Sequence, residues 1–244
     1  MAVKFKINKA IESFKNEGGT TGFPDSLRDV LRFIQNDPKI NTKKEVAWLL
    51  ATAKVESDYS LSRWESDFLC GKIGVAYKQE PCQRAINYYR SSDGKRNYFD
   101  LGTDNNGMAY FGRGLIQLTG KENYKTYGKE IGVDLLGDGD KALIPKNSYN
   151  IASAYFKKRK VYQYANEENF PMARKAVKGS TKDWEVAKKE YDKWINVLDN
   201  NEIKFKDVKV IKKERITRVI LYSGVFLAVV GFAVGFSLLT RTKK

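Results

Sequence analysis

The 244-residue sequence contains no histidine. That absence removes the Ser-His-Asp and Cys-His nucleophile systems and every zinc site built on imidazole. Cysteine is nearly absent too, with only Cys70 and Cys82. Two thiolates fall short of a four-thiolate metal site, and two cysteines make no disulfide framework. Wall-cutting amidases of the zinc or Cys-His type are thereby excluded, and no metal is expected. Residues 1–15 are charged throughout and lack the apolar stretch of a secretory signal. Nucleotide loops are missing as well. Gly112 and Gly114 do not open a dinucleotide fingerprint, because Gln117 stands where a third glycine is needed and no apolar strand precedes them. A phosphate loop fails in the same way, so no cofactor is expected.

What is abundant is positive charge. Lys and Arg number 44 against 29 Asp and Glu, a formal net charge of +15. Such a balance suits acidic polymers or anionic lipid. The basic residues are scattered or clustered near the C-terminus without a nucleic-acid motif, so no nucleic-acid partner is expected. Hydrophobic residues make up 42% and aromatics 13% of the chain, enough to fold most of it around a core.

Residues 219–239, VILYSGVFLAVVGFAVGFSLL, carry no charge. A helix of about 20 residues crosses the hydrocarbon of a bilayer. Lys212, Lys213, Arg215 and Arg218 precede the run, and Arg241, Lys243 and Lys244 follow it, as headgroup-facing residues do. Gly231 and Gly235 form a small-xxx-small face on which two such helices can pack. The expected organisation is a domain at 1–200, a basic juxtamembrane stalk at 201–218, a membrane span at 219–239 and a basic tail at 240–244. Residues 202–244 hold ten basic and three acidic residues, which leaves +8 of the +15 for residues 1–201.

The first 200 residues read as mainly helical. Thr42-Lys-Lys-Glu45 is a capping box that opens a helix over 43–56. Ser26-Leu-Arg-Asp29 is a looser start signal for a helix ending near Asp37-Pro38. Residues 147–158 and 169–178 form further helices. Trp184, Ala187, Tyr191, Trp194, Ile195 and Leu198 recur at helical spacing, as a core-facing stripe does. Residues 66–114, rich in Gly, Asn, Asp and Tyr, read as loops with a short hairpin.

Three features carry chemistry. The helix VAWLLATAKVES, residues 46–57, is apolar nearly all round and so is buried. Glu56 ends it, above Leu49, Thr52 and Ala53 on the same face. Desolvation at such a place favours a protonated carboxyl, which a general acid needs. Glu65 follows nine residues later in Ser-Arg-Trp-Glu-Ser, and a loop of that length can carry it across a cleft. Two carboxyls flanking a glycosidic bond can protonate the leaving oxygen and activate a water. The third feature is FGRGLIQLTGKENY, residues 111–124. There Arg113, Gln117, Thr119 and Asn123 set polar groups among apolar ones, beside two glycines that permit close backbone approach.

This third segment resembles the hallmark of family-19 glycoside hydrolases, the chitinases and related phage endolysins. WLLATAKVES resembles the family's helix with the catalytic acid, at the position of Glu56. Glu65 matches a second Glu of the bacterial and phage members. Tyr155-Phe-Lys-Lys-Arg159 and Ala173-Arg-Lys-Ala-Val-Lys-Gly179 also have counterparts, so the likeness covers roughly residues 25–198. It departs at Val55, where the family has His. Glu80 lies nearer the spacing of plant members and rivals Glu65 as base. The resemblance implies a two-lobed, lysozyme-like helical fold and hydrolysis with inversion, Glu56 as acid and Glu65 as base. It also implies that Thr119 holds the attacking water and that Gln117 and Asn123 contact sugar or order the cleft. Arg113, Tyr110 and Tyr124 join them as expected substrate-binding residues. The basic domain favours peptidoglycan as the polymer, cut by an enzyme held in a virion's internal membrane or the host inner membrane. A chitinase, a lytic transglycosylase and a non-catalytic membrane or virion protein on the same fold are the alternatives.

Overall fold

A computed structural model describes residues 3–4, 6–64, 102–201 and 204–205. All of them fall in one compact unit, Met1–Phe205. The unit is mainly helical. Among the described residues no helix is long and apolar enough to cross a membrane, and the run 219–239 with Gly231 and Gly235 lies outside them. Cys70, Cys82, Glu65 and Glu80 lie outside them too.

The N-terminal segment, which shows no apolar run, nonetheless folds as helix α1, Ile7–Asn16. Three apolar positions suffice: Ala10, Ile11 and Phe14 face inward, while Lys9 and Lys15 on either side of them face solvent. Phe14 stacks on Trp194 at 4.3 Å and meets Tyr59 edge-on at 6.0 Å. Helix α2 is Pro24–Gln35, starting two residues before the Ser26 signal. Pro24 sits in the first turn, where the missing N–H has no partner to lose. Leu27, Val30, Leu31 and Ile34 form its buried stripe.

Helix α3, Lys43–Ser57, is the central element. Its capping box is complete. Glu45 N donates to Thr42 Oγ1, and the Glu45 carboxylate accepts from the Thr42 and Asn41 N–H groups. The same carboxylate accepts from Asn166 Nδ2 at 2.8 Å, and Thr42 Oγ1 meets Asn166 Oδ1 at 2.6 Å, so the cap also docks the end of a helix distant in sequence. From Glu45 to Ala53 every residue is buried, so the helix is enclosed on all sides along most of its length.

Six further helical elements and two short strands complete the described fold. Helix α4 is Lys121–Ile131, and a 3-10 turn at Gly139–Leu143 precedes α5, Pro145–Lys158. Then follow α6, Val161–Asn166, α7, Phe170–Lys178, and α8, Trp184–Asn200. Helix α8 runs along α3 and buries Ala187, Tyr191, Trp194 and Leu198 of the expected stripe, with Trp184 and Ile195 at its edge. Trp48 of α3, Phe170 of α7 and Tyr191 of α8 meet with ring centres 4.7–6.0 Å apart. Asp37, buried between α2 and α3, accepts from the Tyr149 and Ser153 hydroxyls of α5 and from Lys39 N. Strand β1, Val3–Lys4, pairs antiparallel with β2, Lys204–Phe205, and joins the two ends of the unit.

Thr42→Ala removes both the cap and a tether to Asn166. It is expected to lower the unfolding free energy by about 1–2 kcal/mol, read as a shifted urea midpoint with an unchanged slope.

Candidate functional site

Glu56 occupies the last turn of α3, above buried Leu49, Thr52 and Ala53. The helix stops beyond it because Asp58 (φ 53°) and Tyr59 (φ 66°) turn left-handed. That turn is held from outside: the Asp58 carboxylate accepts from Gly22 N at 2.7 Å and Lys54 Nζ at 2.5 Å. From the other side, Ser57 Oγ donates toward Leu115 O at 2.9 Å. The helix end carrying Glu56 is thus fixed on two sides.

Residues 110–120 fold into a tight hairpin. Gly120 N donates to Tyr110 O at 2.7 Å, and Arg113 and Leu118 exchange both backbone hydrogen bonds. Gly114 (φ +75°) makes the turn. A Cβ there would lie 2.6 Å from Ser148 Oγ and 2.9 Å from Ala142 O, so only glycine fits. Gln117 is left-handed at φ 51°, a conformation costly for a non-glycine residue and common where a site is over-determined by its surroundings. Its amide nitrogen donates to Gly114 O at 2.9 Å and Arg63 O at 3.1 Å.

Glu56, Gln117, Thr119 and Asn123 line one pocket of about 360 Å³, with Tyr155 and Lys178 across it. Thr119 Oγ1 donates to Gln117 O at 2.8 Å, and Asn123 Nδ2 donates to Thr119 O at 2.7 Å. Tyr155 donates to Val177 O at 2.9 Å and thereby joins α5 to α7. Burial raises its phenol above the ordinary range against the pull of Arg159, so it stays a neutral donor.

The remaining expected contacts go elsewhere. Arg113 is 1% exposed and points into the protein. Its Nε bonds Asp140 at 2.8 Å, one terminal nitrogen donates to Ala109 O and Tyr124 Oη, and Phe111, Trp64 and Tyr124 ring the guanidinium. Tyr124 is fully buried and donates to Phe111 O at 2.7 Å. Tyr110, also buried, sits with its hydroxyl 2.9 Å from Leu136 O. A side chain sealed by its own protein offers no face to a ligand, so these three hold the hairpin's shape instead. Trp64, likewise 1% exposed, bridges to Arg113 and is a core residue. Glu65 follows it in sequence, outside the described residues. Burial pushes the Asp140 carboxyl up from the usual carboxylate range, and the Arg113 guanidinium opposes that rise.

One residue that touches the site escaped the sequence. Arg174 of α7 forms an ion pair with Glu56, its side chain 2% exposed against 19% for the carboxylate. The signal was present: Arg174 lies one turn after Phe170 and next to Ala173, both buried. A cation on a buried stripe needs a counter-charge. Among the described residues no group of three or more Cys, Asp and Glu is placed to hold a metal ion.

Arg113→Met leaves Asp140 without its counter-ion in a largely buried place. Chemical denaturation is expected to show a loss of about 3–5 kcal/mol, far above the change expected at a solvent-facing contact.

The profile of glycoside hydrolase family 19, chitinase class I, matches residues 31–189. Among solved structures, chitinase C from Streptomyces griseus HUT6037 is similar at a TM-score of 0.52 and 17% identity, over 80% of this chain and 92% of that one. A mutant of chitinase C gives a TM-score of 0.49 at the same identity and coverage. No curated protein matches the chain. At 17% identity the Streptomyces structure speaks for the fold, whereas the family profile takes in more than half of the sequence, and with it the helix of Glu56 and the whole 111–124 hairpin: the chain belongs to glycoside hydrolase family 19 and is a glycoside hydrolase.

Proposed function

We propose that the chain hydrolyses β-1,4-linked amino-sugar polymers in one step with inversion. Glu56 donates a proton to the leaving oxygen and Glu65 activates the water on the opposite face. The observation that carries this reading is the pocket itself. In a family-19 chain, a fixed carboxyl faces a loop whose Thr119, Gln117 and Asn123 supply polar groups around it. Thr119, within that pocket, is positioned to help hold the water. Arg174 orients the carboxyl of Glu56 through their ion pair, and the proton transfer requires that contact to open in the reactive complex.

The family description and the Streptomyces neighbour are of chitinases, which favours a chitin-type polymer over the peptidoglycan that the charge put forward. Peptidoglycan remains the second reading because the net charge is +15 and about half of it lies outside the C-terminal segment. Both polymers share the N-acetylglucosamine linkage. Mass spectrometry of digests of chito-oligosaccharides and of purified cell walls separates the two. An anhydro-sugar product would replace hydrolysis with a lytic transglycosylase reaction. No product from either polymer, by a folded protein, would leave a non-catalytic role on this fold.

Glu56→Gln keeps the shape of the side chain and removes the transferable proton. Turnover is expected to fall about 100- to 10,000-fold, with the circular dichroism spectrum retained. Activity within a few-fold of wild type would refute Glu56 as the acid.

The anchor belongs to the same proposal. Residues 219–239 span a bilayer, with 201–218 as the stalk and a further self-association face at Gly231 and Gly235. The support is 21 uncharged residues between basic flanks. The membrane would be the host inner membrane or one inside a virion. The full chain is expected to stay in the membrane pellet after alkaline carbonate washing, while a chain ending at residue 205 moves to the supernatant. A full chain released by the wash would refute the span.

A further inference from the structure

The pocket has an electropositive rim that the acid–base chemistry does not use. Helix α5 ends in four consecutive exposed cations, Lys157, Lys158, Arg159 and Lys160. Among the described residues no carboxylate lies within 4 Å of any of them. Within the pocket, Glu56 is the one acidic side chain on the described wall, and Arg174 already neutralises it. Lys178 adds a further cation on the lining.

Arg159 is the member of this run that touches the pocket. Its guanidinium carbon lies 4.7 Å from the centre of the Tyr155 ring, and one terminal nitrogen donates to Asn123 Oδ1 at 3.3 Å. Tyr155 and Asn123 both line the pocket. The guanidinium is therefore placed by the Tyr155 ring on one face, by the Asn123 amide at one edge and by the Tyr127 hydroxyl. Such a planar fork, with N–H groups to spare, matches the two oxygens of a carboxylate. A neutral amino-sugar chain gives it nothing of opposite charge to meet.

We infer that Arg159 forms a carboxylate subsite at the pocket rim and that the polymer bears carboxylate substituents on its sugars. This rests on the amino-sugar hydrolase reading above and, within it, takes the side of the carboxylated wall polymer, the second reading, against neutral chitin. The adjacent lysines raise the local concentration of an anionic strand without fixing its register. Arg159 supplies the directional contact, beside Asn123 on the pocket wall.

Two soluble β-1,4 amino-sugar oligomers of equal length test this, using the full chain in detergent. One is neutral N-acetylglucosamine; in the other, alternate sugars carry an ether-linked lactic acid. The readout is the ratio of kcat/KM for the carboxylated oligomer over the neutral one. The wild type is expected to favour the carboxylated oligomer, and Arg159→Gln is expected to lower that ratio about tenfold or more, the effect of one charge-assisted hydrogen bond. Arg159→Lys, which keeps charge without the fork, should lose less, and about 0.5 M salt should compress the wild-type ratio. A wild-type ratio at or below one overturns the inference. So does an equal loss on both oligomers in Arg159→Gln, which would make Arg159 only a support for Asn123. If the wild type cleaves neither oligomer, the hydrolase reading itself falls, an outcome distinct from the other two.

Discussion

A carboxyl group at the mouth of a buried helix needs an opposing charge, and the pairing of Glu56 with Arg174 meets that need. Neither partner is stable alone in this position. A guanidinium with 2% exposure loses several kcal/mol of hydration that only a close counter-ion offsets. The pair also ties the last turn of α3 to α7, two elements separated by more than a hundred residues. Most of the pocket's other features serve the same alignment. The left-handed residues after Glu56 end the helix on time, and Ser57 ties that end to the 110–120 hairpin. Tyr155 links α5 to α7 on the far side.

The hairpin illustrates how a motif can be recognised for one reason and built for another. Gly-Arg-Gly looks like an exposed, ligand-facing loop. In the structure Arg113 is its keystone, enclosed by three aromatic rings and bonded to Asp140. What reaches the pocket is the returning strand, with Gln117 and Thr119, and then Asn123 in the first turn of α4. A loop shaped by a buried cation keeps its polar side chains in place before a substrate arrives, so less ordering remains to be done on binding.

Local signals made much of the fold legible. The Thr42–Glu45 box predicted α3 to within a residue, and the apolar circumference of 46–57 announced its burial. Asn169 was legible as a start, and it proves to be the cap of α7. Helix α1 was not legible, because three apolar residues among lysines make a stripe too thin to notice without Trp194 and Tyr59 to receive it. For the site, Glu56, Gln117, Thr119 and Asn123 were found by motif and do share a pocket, while Tyr110, Arg113 and Tyr124 came from the same motif and do not. Alternation of polar and apolar residues cannot say which polar groups turn inward when the turn itself is irregular. Arg174 was missed for a related reason: its partner is 118 positions away, and ion pairing over that distance leaves no spacing to read.

The enclosure of α3 has a consequence for how the molecule loses activity. Glu56 sits on the element that neighbours cover most completely, rather than on a loop that can open by itself. Amide protons along residues 46–53 should therefore exchange with solvent only through events that dismantle most of the unit. Partial loosening at the surface would leave Glu56 where it is. Heat or denaturant would then switch the site off in the same cooperative step that melts the core, with no extended range of temperature in which the protein is folded but Glu56 is displaced.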